Sequence, residues 1–292
     1  MNWIAGIQHA LDYIEEHITE DMDFQVIASQ AYSSSFYFQR VFSILCGMTL
    51  GDYIRNRRLS LAGTELASSG TRVIDTAVKY GYDSAESFSR AFTKFHGISP
   101  SQAKIPGVQL KSFSKLSVKL TMEGGNMINY RIEEHEAFNI IEKVRTFTTE
   151  GNLNFKEIPA FWKEAKKDGT IPTLCRFMGN QHLEGMILGI CYEENRDTDF
   201  SYSIAAEYNG KSPVPEGFTI HKVPAETWAV FSCRGPMPTA IQNLWKEIYS
   251  EFFPASEFSP RGELSFEAYP DGDTSAEDYT CEIWIAVEKT SQ

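Results

Sequence analysis

The chain of 292 residues carries 27 lysines and arginines against 39 aspartates and glutamates, and most of its formal net charge of −12 lies after residue 126. Its five cysteines show no CxxC spacing and its six histidines are scattered, which argues against a zinc site, a disulfide framework or a metal enzyme and predicts no cofactor. With no signal-peptide pattern and no long apolar run, the sequence predicts a cytoplasmic protein of two domains that does not enter a membrane.

A repeat with an offset of fifty residues organises the first third of the chain. The segment AYSSSFYFQRVFSILCGMT, which begins at Ala31, matches GYDSAESFSRAFTKFHGIS, which begins at Gly81, so that Tyr32 falls on Tyr82. An arginine, two phenylalanines and a glycine recur at the same offsets. Such a fixed-period repeat predicts one supersecondary unit that is built twice.

Each copy has the pattern of two short helices around a turn. These helices are predicted over residues 24–31 and 36–46 in the first copy, and over 73–80 and 85–96 in the second. Ser35 and Ser84 stand where the second helix of each copy needs its N-cap, and Gly47 and Gly97 stand where a helix ends. Phenylalanines line one face of each second helix, which leaves the other face for contact with a partner.

The two copies, the preceding helix WIAGIQHALDYIEEH, the connecting helix LGDYIRNRRLSLAGTELASSG and the closing GISPSQAK resemble the DNA-binding domain of the AraC family of bacterial transcription regulators. The resemblance covers roughly residues 4–103 and implies two helix-turn-helix units whose recognition helices enter successive major grooves of double-stranded DNA. By position it assigns DNA contacts to Phe36, Gln39, Arg40, Glu86 and Arg90. The alternative is that these side chains form solvated helix faces.

The first domain, residues 1–105, holds nine lysines and arginines against eleven acids. Its basic residues cluster on the connecting helix at Arg55, Arg57 and Arg58, and we predict that they contact phosphates. Residues 106–126 form a predicted linker with three lysines and a Gly-Gly pair. This segment is either a basic linker along the DNA backbone or an ordered strap on the second domain, which spans residues 127–292.

After residue 126 the pattern changes to alternating strands with two helices. Strands are predicted over 128–134, 138–147, 186–192, 200–208, 218–223, 227–234, 264–269 and 279–288, and helices over 159–168 and 239–253. A weaker duplication matches IPAFWKE, which begins at Ile158, with IQNLWKE, which begins at Ile241. The predicted fold class is therefore multidomain, with an all-α double helix-turn-helix domain followed by an α+β domain of two βαββ repeats around a pseudo-dyad cleft, with their sheets face to face or side by side.

The second domain, with its segments VPAETWAVFSCRG, LWKEIYSEFFPASEF, LSFEAY and YTCEIWIAVE, is similar to the GyrI-like effector-binding domains of AraC-type and multidrug-responsive regulators. The resemblance covers about residues 127–287 and implies a glutamate on the last strand within an aromatic pocket, at the position of Glu282. A carboxylate inside an apolar strand must be paired, protonated or facing a cavity, and an aromatic cage around it suits flat cations. The aromatic residues proposed to line this pocket, each of which could instead belong to the core, are Tyr202, Trp228, Phe266, Tyr269 and Trp284.

These patterns predict a one-component transcription regulator that is not an enzyme and that responds to a small cationic or aromatic effector. The family implies activation by contact with RNA polymerase, although a repressor would have the same helices, and the sequence leaves both a monomer and a homodimer open. One alternative is that the second domain hydrolyses a reactive ligand, with Glu282 as general base and Tyr202 or Tyr269 as acid. Another is that it sequesters a toxic small molecule without control of DNA.

Overall fold

The computed structural model describes residues 3–117, 127–148, 153–193 and 199–289. The described residues divide into a helical unit that ends at residue 117 and a sheet unit that begins at residue 127. Among the described residues, none of the helices combines the length and the apolar character needed to cross a bilayer.

The helical unit is built around one long central helix. Its helices are α1 (Trp3–Glu16), α2 (Phe24–Ser29), α3 (Ser35–Cys46), α4 (Leu50–Ser69), α5 (Val73–Lys79) and α6 (Ala85–His96), followed by a 3-10 turn at Gln102–Lys104. The first half of α4 packs with α1 to α3 around Phe38 and Phe42. Its second half packs with α5 and α6 around Phe88 and Phe92. The prediction of two helix-turn-helix units joined by a connecting helix is confirmed.

The recognition helices α3 and α6 begin and end in the same way. Ser34 caps α3 by accepting a hydrogen bond from the Tyr37 N–H at 3.3 Å, and Ser84 caps α6 by accepting one from the Ser87 N–H at 3.1 Å. The prediction of Ser35 as a cap was wrong by one position, because Ser35 is the first residue of α3. Glycines in the left-handed region end both helices, as predicted.

The turns of the two copies differ by one residue. In the first turn the Tyr32 N–H donates to the Ser29 carbonyl, and in the second the Gly81 N–H donates to the Val78 carbonyl. Tyr32 has a φ of 53° and Gly81 a φ of 79°, so these two residues occupy the same position. The constant offset that matched Tyr32 with Tyr82 is therefore wrong in the turn, because the second copy carries one extra residue before its cap.

The described part of the predicted linker lies on the helical unit. The Phe113 N–H donates to Ser60 Oγ at 2.9 Å, and the Leu116 N–H donates to Tyr53 Oη at 3.2 Å. The Phe113 and Leu116 side chains pack against the core of the first helix-turn-helix unit. The helical unit thus extends beyond residue 105, because these side chains bury apolar surface that the helices leave uncovered. The segment is a strap on the helical unit. The two predicted alternatives were a basic linker along the DNA backbone and a strap on the second domain.

The sheet unit contains one continuous antiparallel sheet with helices on one side. Its strands are β1 (Tyr130–His135), β2 (Phe138–Thr148), β3 (Ile187–Glu193), β4 (Asp199–Glu207), β5 (Thr219–Val223), β6 (Glu226–Arg234), β7 (Phe258–Tyr269) and β8 (Thr280–Lys289). Its helices are α7 (Asn154–Ala165), α8 (Thr170–Phe177), α9 (Thr239–Glu247) and α10 (Phe253–Ala255), with a π-helical segment, Ile248–Phe252, between the last two. All eight predicted strands are present, whereas α8 was not predicted.

Each βαββ repeat pairs, at its outer edge, with the strand that precedes the other repeat in sequence. The strand order is β1-β6-β8-β7-β3-β4-β2-β5. An additional strand therefore precedes each repeat and pairs with the other one, β1 with β6 and β5 with β2. Two residues connect β1 to β2, and two connect β5 to β6. The repeats form a single sheet side by side, and β3 and β7 lie at its centre.

Candidate functional site

The helical unit exposes part of each recognition helix. On α6, Glu86 and Arg90 are exposed and form an ion pair of 3.1 Å across one helical turn. On α3, Phe36 and Arg40 are partly exposed. Gln39 is only 9% exposed, and its side-chain amide donates to Ser35 Oγ at 3.1 Å. Four of the five predicted DNA-contact residues thus have accessible surface, and Gln39 would have to leave its present contact to reach a base.

The basic cluster of α4 has a structural role at two of its three positions. Arg57 donates through Nε and Nη2 to the Glu15 carboxylate, each at 2.7 Å, and its side chain is 11% exposed. Arg58 donates to the backbone carbonyls of Ile18 and Glu20. The prediction that these two arginines contact phosphates is not supported, because their donors are occupied inside the unit. Arg55 is more exposed and pairs with Asp52.

The predicted ligand residues of the sheet unit lie on two different faces. In an antiparallel sheet, residues directly opposite each other share a face, and neighbours along a strand alternate. Trp284 pairs with Phe266, and Glu282 pairs with Ala268, which places both on the face opposite the helices together with Trp228. Tyr269 pairs with Ile187 and lies, with Tyr202, on the helix face. The sequence predicts that these six residues line one pocket. The structure corrects this, because they lie on two faces of the sheet.

Glu282 is neutralised by an arginine of β1. Arg131 donates through both terminal nitrogens to the Glu282 carboxylate, at 2.6 and 3.1 Å, and the Trp284 indole N–H donates to it at 2.9 Å. The carboxylate beside it raises the pKa of Arg131. Trp228, Phe266 and Trp284 are at most 2% exposed. On this face the predicted cage is thus a packed core beside a completed ion pair.

A second carboxylate, Glu267 on β7, has aromatic neighbours on the helix face. The Trp245 indole N–H of α9 donates to Glu267 Oε1 at 2.8 Å, and the Tyr269 hydroxyl donates to Oε2 at 2.8 Å. Next to Tyr269 lies Trp162 of α7, with 5.3 Å between the ring centroids, and the Trp162 N–H donates to Tyr202 Oη at 2.9 Å. We call these five residues the Glu267 cage.

Gly189 makes room for the Glu267 cage at the centre of the sheet. It lies on β3 directly opposite Glu267. A Cβ atom at this position would lie 2.2 Å from Tyr202 Oη and 3.3 Å from Trp162 Cζ2. The missing side chain therefore allows the Tyr202 hydroxyl to reach the Trp162 indole.

The Glu267 carboxylate has neutral donors and no counter-charge within the described ranges. Among the described residues its hydrogen-bond donors are Trp245 and Tyr269, and its side chain is partly exposed. Burial, together with the neighbouring Glu267 charge, raises the pKa of Tyr269 well above its usual value, so the tyrosine stays protonated and keeps donating. A carboxylate held by neutral donors among aromatic rings is suited to a bound aromatic cation.

Three of the five cage residues were missed in the sequence. Trp162 and Trp245 occupy the same position in the internal duplication, which matched IPAFWKE with IQNLWKE. Glu267 stands two residues before Tyr269 in LSFEAY, so alternation alone places both on one face. These signals were present, but the apolar segment around Glu282 was the stronger pattern and directed the prediction to that carboxylate.

Comparison with known families assigns both units. The family model for a helix-turn-helix domain matches residues 27–104, and the model for an integron-associated effector binding protein matches residues 131–287. In residues described by the structure, the first match covers both helix-turn-helix units and the second covers the strands from β1 to β8.

Among individual proteins, the chain is similar to the transcriptional activator AarP of Providencia stuartii, at 41% identity over 95 residues, and to the regulatory protein SoxS of Escherichia coli (strain K12), at 40% over 95 residues. These alignments cover 32% of this chain, and 70% and 89% of the relatives. Among solved structures, an integron cassette protein from the mobile metagenome of Vibrio cholerae has a TM-score of 0.39 at 21% identity, covering 55% of this chain and 95% of the other. The structure of SAV2435 bound to tetraphenylphosphonium has a TM-score of 0.49 at 24% identity, with 55% and 94% covered.

Proposed function

The chain belongs to the AraC-type DNA-binding transcription regulators that carry an integron-associated effector-binding domain, and we propose that an aromatic cation bound in the Glu267 cage controls its binding to DNA. The observation that carries this proposal is that the Glu267 carboxylate is hydrogen-bonded but has no basic partner among the described residues. This carboxylate accepts from Trp245 and Tyr269, and no basic side chain of the described residues pairs with it. A delocalised cation would supply the missing charge and stack on the indole and phenol rings.

The site at Glu267 differs from the one predicted around Glu282 in whether the carboxylate already has a basic partner. Bringing a cation to Glu282 would require breaking its two hydrogen bonds to Arg131. A cation at Glu267 displaces no existing partner of this kind. We therefore assign effector recognition to the helix face, with Trp162 and Tyr202 as the far wall of the site.

Control of DNA binding follows from linkage between the two units. A ligand changes DNA affinity only if it binds more tightly to one state of the protein than to the other, and DNA then changes ligand affinity by the same factor. The relative from Providencia stuartii is named a transcriptional activator. We extend that role to this chain, which would contact RNA polymerase in the cytoplasm while bound to double-stranded DNA.

The first test uses two probes of one shape and opposite charge on the full chain. Isothermal titration with tetraphenylphosphonium should give saturable binding, whereas tetraphenylborate should not bind. Glu267→Gln should weaken phosphonium binding tenfold or more, a loss of about 1.4 kcal/mol. Glu282→Gln is the matched control and should keep the wild-type affinity. Equal binding of both probes, or a loss in the Glu282 variant alone, would contradict the proposed site.

The second test measures the linkage to DNA. A duplex selected from a random pool by the full chain is titrated with protein in the absence and presence of saturating tetraphenylphosphonium. The apparent Kd for DNA should change, and the phosphonium Kd should change by the same factor when DNA is present. An unchanged DNA affinity at full ligand occupancy would show that the cage binds a ligand without regulating the reader.

Turnover of a ligand is a second candidate, because the Tyr269 hydroxyl and the Glu267 carboxylate form an acid and base pair at 2.8 Å. We favour binding, since the relatives are named as regulators. Incubation with a cationic aromatic ester distinguishes the two. Recovery of the intact ester by mass spectrometry supports binding, and a hydrolysis product that disappears in Glu267→Gln supports turnover.

A further inference from the structure

Two cysteines face each other across neighbouring strands of the sheet unit. Cys233 of β6 pairs directly with Cys281 of β8, and their sulfur atoms are 3.2 Å apart. Cys281 is 1% exposed and also contacts Met237 Sδ at 3.6 Å, whereas Cys233 is partly exposed. One thiol of the pair can therefore meet a reagent from solvent, and the other is held within reach of it.

The thiol pair lies beside the Glu267 cage. Ala268 of β7 pairs with Glu282 of β8, so Tyr269 and Cys281 are the next residues along the same two strands. The negative charge of Glu267 acts on both thiols: it opposes the hydrogen bond that lowers the pKa of Cys233, and it adds to the hydrogen bond and the burial that raise the pKa of Cys281. The four residues that follow β6 lead directly into α9, which carries the Trp245 donor of the cage. A change at the thiol pair thus reaches the cage through β8 and through α9.

We propose that Cys233 and Cys281 are a modification site, at which a hydroperoxide converts the two thiols into a cross-strand disulfide that weakens cation binding in the Glu267 cage. The disulfide itself is inferred from the geometry of the pair. Only its effect on the ligand rests on the proposed function of the cage.

The reaction uses one hydroperoxide and two electrons from the sulfurs. The Cys233 thiolate attacks the outer oxygen of the hydroperoxide, the O–O bond breaks, and Cys233 becomes a sulfenic acid while an alcohol, or water from hydrogen peroxide, leaves. The Cys281 sulfur then attacks the Cys233 sulfur and loses its proton, the S–O bond breaks, and the hydroxide leaves as water. The products are one disulfide, one alcohol or water, and one further water.

The environment assigns these two roles. The hydrogen bond from the Cys281 thiol lowers the pKa of Cys233, although burial and Glu267 oppose this effect. Donating that hydrogen bond, together with burial, raises the pKa of Cys281. Cys233 therefore forms the thiolate that reacts first, and Cys281 resolves the sulfenic acid. A disulfide has an S–S length of about 2.05 Å, so closing the pair moves the sulfurs together by roughly 1 Å.

This movement accounts for the expected loss of cation affinity. Trp245 and Tyr269 each hold Glu267 through a hydrogen bond of 2.8 Å. Hydrogen bonds weaken steeply once the donor and acceptor separate beyond their normal range. Glu267 and Tyr269 share β7, whereas Trp245 lies on α9, which follows β6 after four residues. A shift of β6 that moves α9 would therefore lengthen the hydrogen bond from Trp245 to Glu267 and weaken the cage.

The chemistry is tested on the full chain with Cys175→Ser, because Cys175 is exposed and would form links between molecules. After treatment with hydrogen peroxide, peptide mapping under non-reducing conditions should find the Cys233 and Cys281 peptides joined, with a loss of two hydrogen atoms that dithiothreitol reverses. Cys233→Ser should abolish the linked peptide, and Cys191→Ser should retain it. Peroxide that oxidises Cys191 or Cys46 while the pair stays reduced would overturn the proposal.

The effect on the ligand is measured separately. The affinity of the Cys175→Ser protein for tetraphenylphosphonium should fall at least threefold on oxidation and return on reduction, and it should stay constant in Cys233→Ser. A disulfide that forms without any change in affinity would overturn the regulatory part. If the phosphonium does not bind the reduced protein at all, the proposed function fails, and the linked peptide still decides whether the modification site exists.

Discussion

The carboxylates of Glu267 and Glu282 lie on adjacent strands of one sheet and point to opposite faces. Glu267 pairs with Ile283, so the residue before Ile283 in sequence turns away from it. The Glu282 carboxylate forms an ion pair with Arg131, whereas the Glu267 carboxylate accepts only from neutral donors of the described residues. Two acids at nearly the same place in the fold therefore have different chemistry, and each serves as a control for the other.

Gly189→Ala should destabilise the sheet unit and weaken the cage. Its Cβ would lie 2.2 Å from Tyr202 Oη, and such overpacking costs about 1–3 kcal/mol of the free energy of unfolding. Adding Tyr202→Phe should restore much of this stability, because it removes the nearest clashing atom and leaves the ring carbon at 3.2 Å. Urea denaturation of the two variants checks this. Absence of rescue by the second substitution would show that the clash lies elsewhere.

Arg57→Met should unfold the helical unit more easily. Removing this arginine leaves Glu15, whose side chain is 13% exposed, with the Tyr53 hydroxyl as a donor but without its ion-pair partner, because the nearby Lys115 binds Asp12. Loss of one partner from a largely buried ion pair costs about 3 kcal/mol, and Glu15→Leu combined with Arg57→Met should recover part of it. Chemical denaturation of the single and double variants measures this.

Arg72→Met is the matched control for Arg57→Met. Arg72 also binds a carboxylate through two hydrogen bonds, but its side chain is 79% exposed. Its loss should leave the free energy of unfolding close to that of the wild type. If instead Arg57→Met kept its stability and reduced the salt dependence of DNA binding, Arg57 would be a phosphate contact after all.

His96 should make the helical unit less stable in mild acid. Its Nε2–H donates to the Leu59 carbonyl at 3.0 Å, and its Nδ1 accepts from the Lys111 N–H at 3.2 Å, an arrangement that only the neutral ring can make. Burial lowers the pKa of His96, the Leu59 carbonyl acts against this, and Lys111 adds to the lowering. The unfolded chain therefore binds the proton more readily than the folded one.

The sign follows from linkage. The contribution of neutral His96 is complete above its unfolded pKa of about 6.5 and is lost as the pH falls through the lower pKa of the folded state. The free energy of unfolding should therefore decrease as the pH falls below about 6.5. His96→Gln, which offers one donor and one acceptor without titrating, should flatten this part of the profile. An identical slope in the variant would assign the acid sensitivity to other groups.

Arg40→Ala and Arg90→Ala should each weaken binding to a selected DNA duplex by about 1–3 kcal/mol if they contact bases. Arg90 is held along α6 by Glu86 at 3.1 Å and remains exposed, so it can exchange this partner for DNA. Fluorescence anisotropy on the selected duplex and on an unrelated one separates the possible roles. A uniform loss on both duplexes would make these arginines phosphate contacts.

The sequence predicted the elements of this protein better than their contacts. Every strand of the sheet unit and both recognition helices were found, because alternation, helical periodicity and the caps at Ser84 and Gly97 are local signals. The choice between Glu267 and Glu282 depends on which face packs against α7 and α9. That information lies in pairings between strands far apart in sequence, which no local pattern contains.

The helical unit shows the same limit in its charges. Arg55, Arg57 and Arg58 look alike in sequence, yet Arg57 is bound by Glu15 and Arg58 by the carbonyls of Ile18 and Glu20. These partners lie about forty positions away, on or just after α1. Tyr32 could not be matched with Gly81 either, because an alignment without gaps hides the extra residue of the second turn.

The pairing of β1 with the second repeat, and of β5 with the first, sets an order for folding during synthesis. Tyr130 of β1 finds its partner, Phe231, only after about a hundred further residues have been made, and the sheet closes last with β8. The helical unit forms from contacts between neighbouring helices, and such local contacts assemble faster than distant strand pairs. We therefore expect each new molecule to have a folded helical unit before its sheet unit is complete.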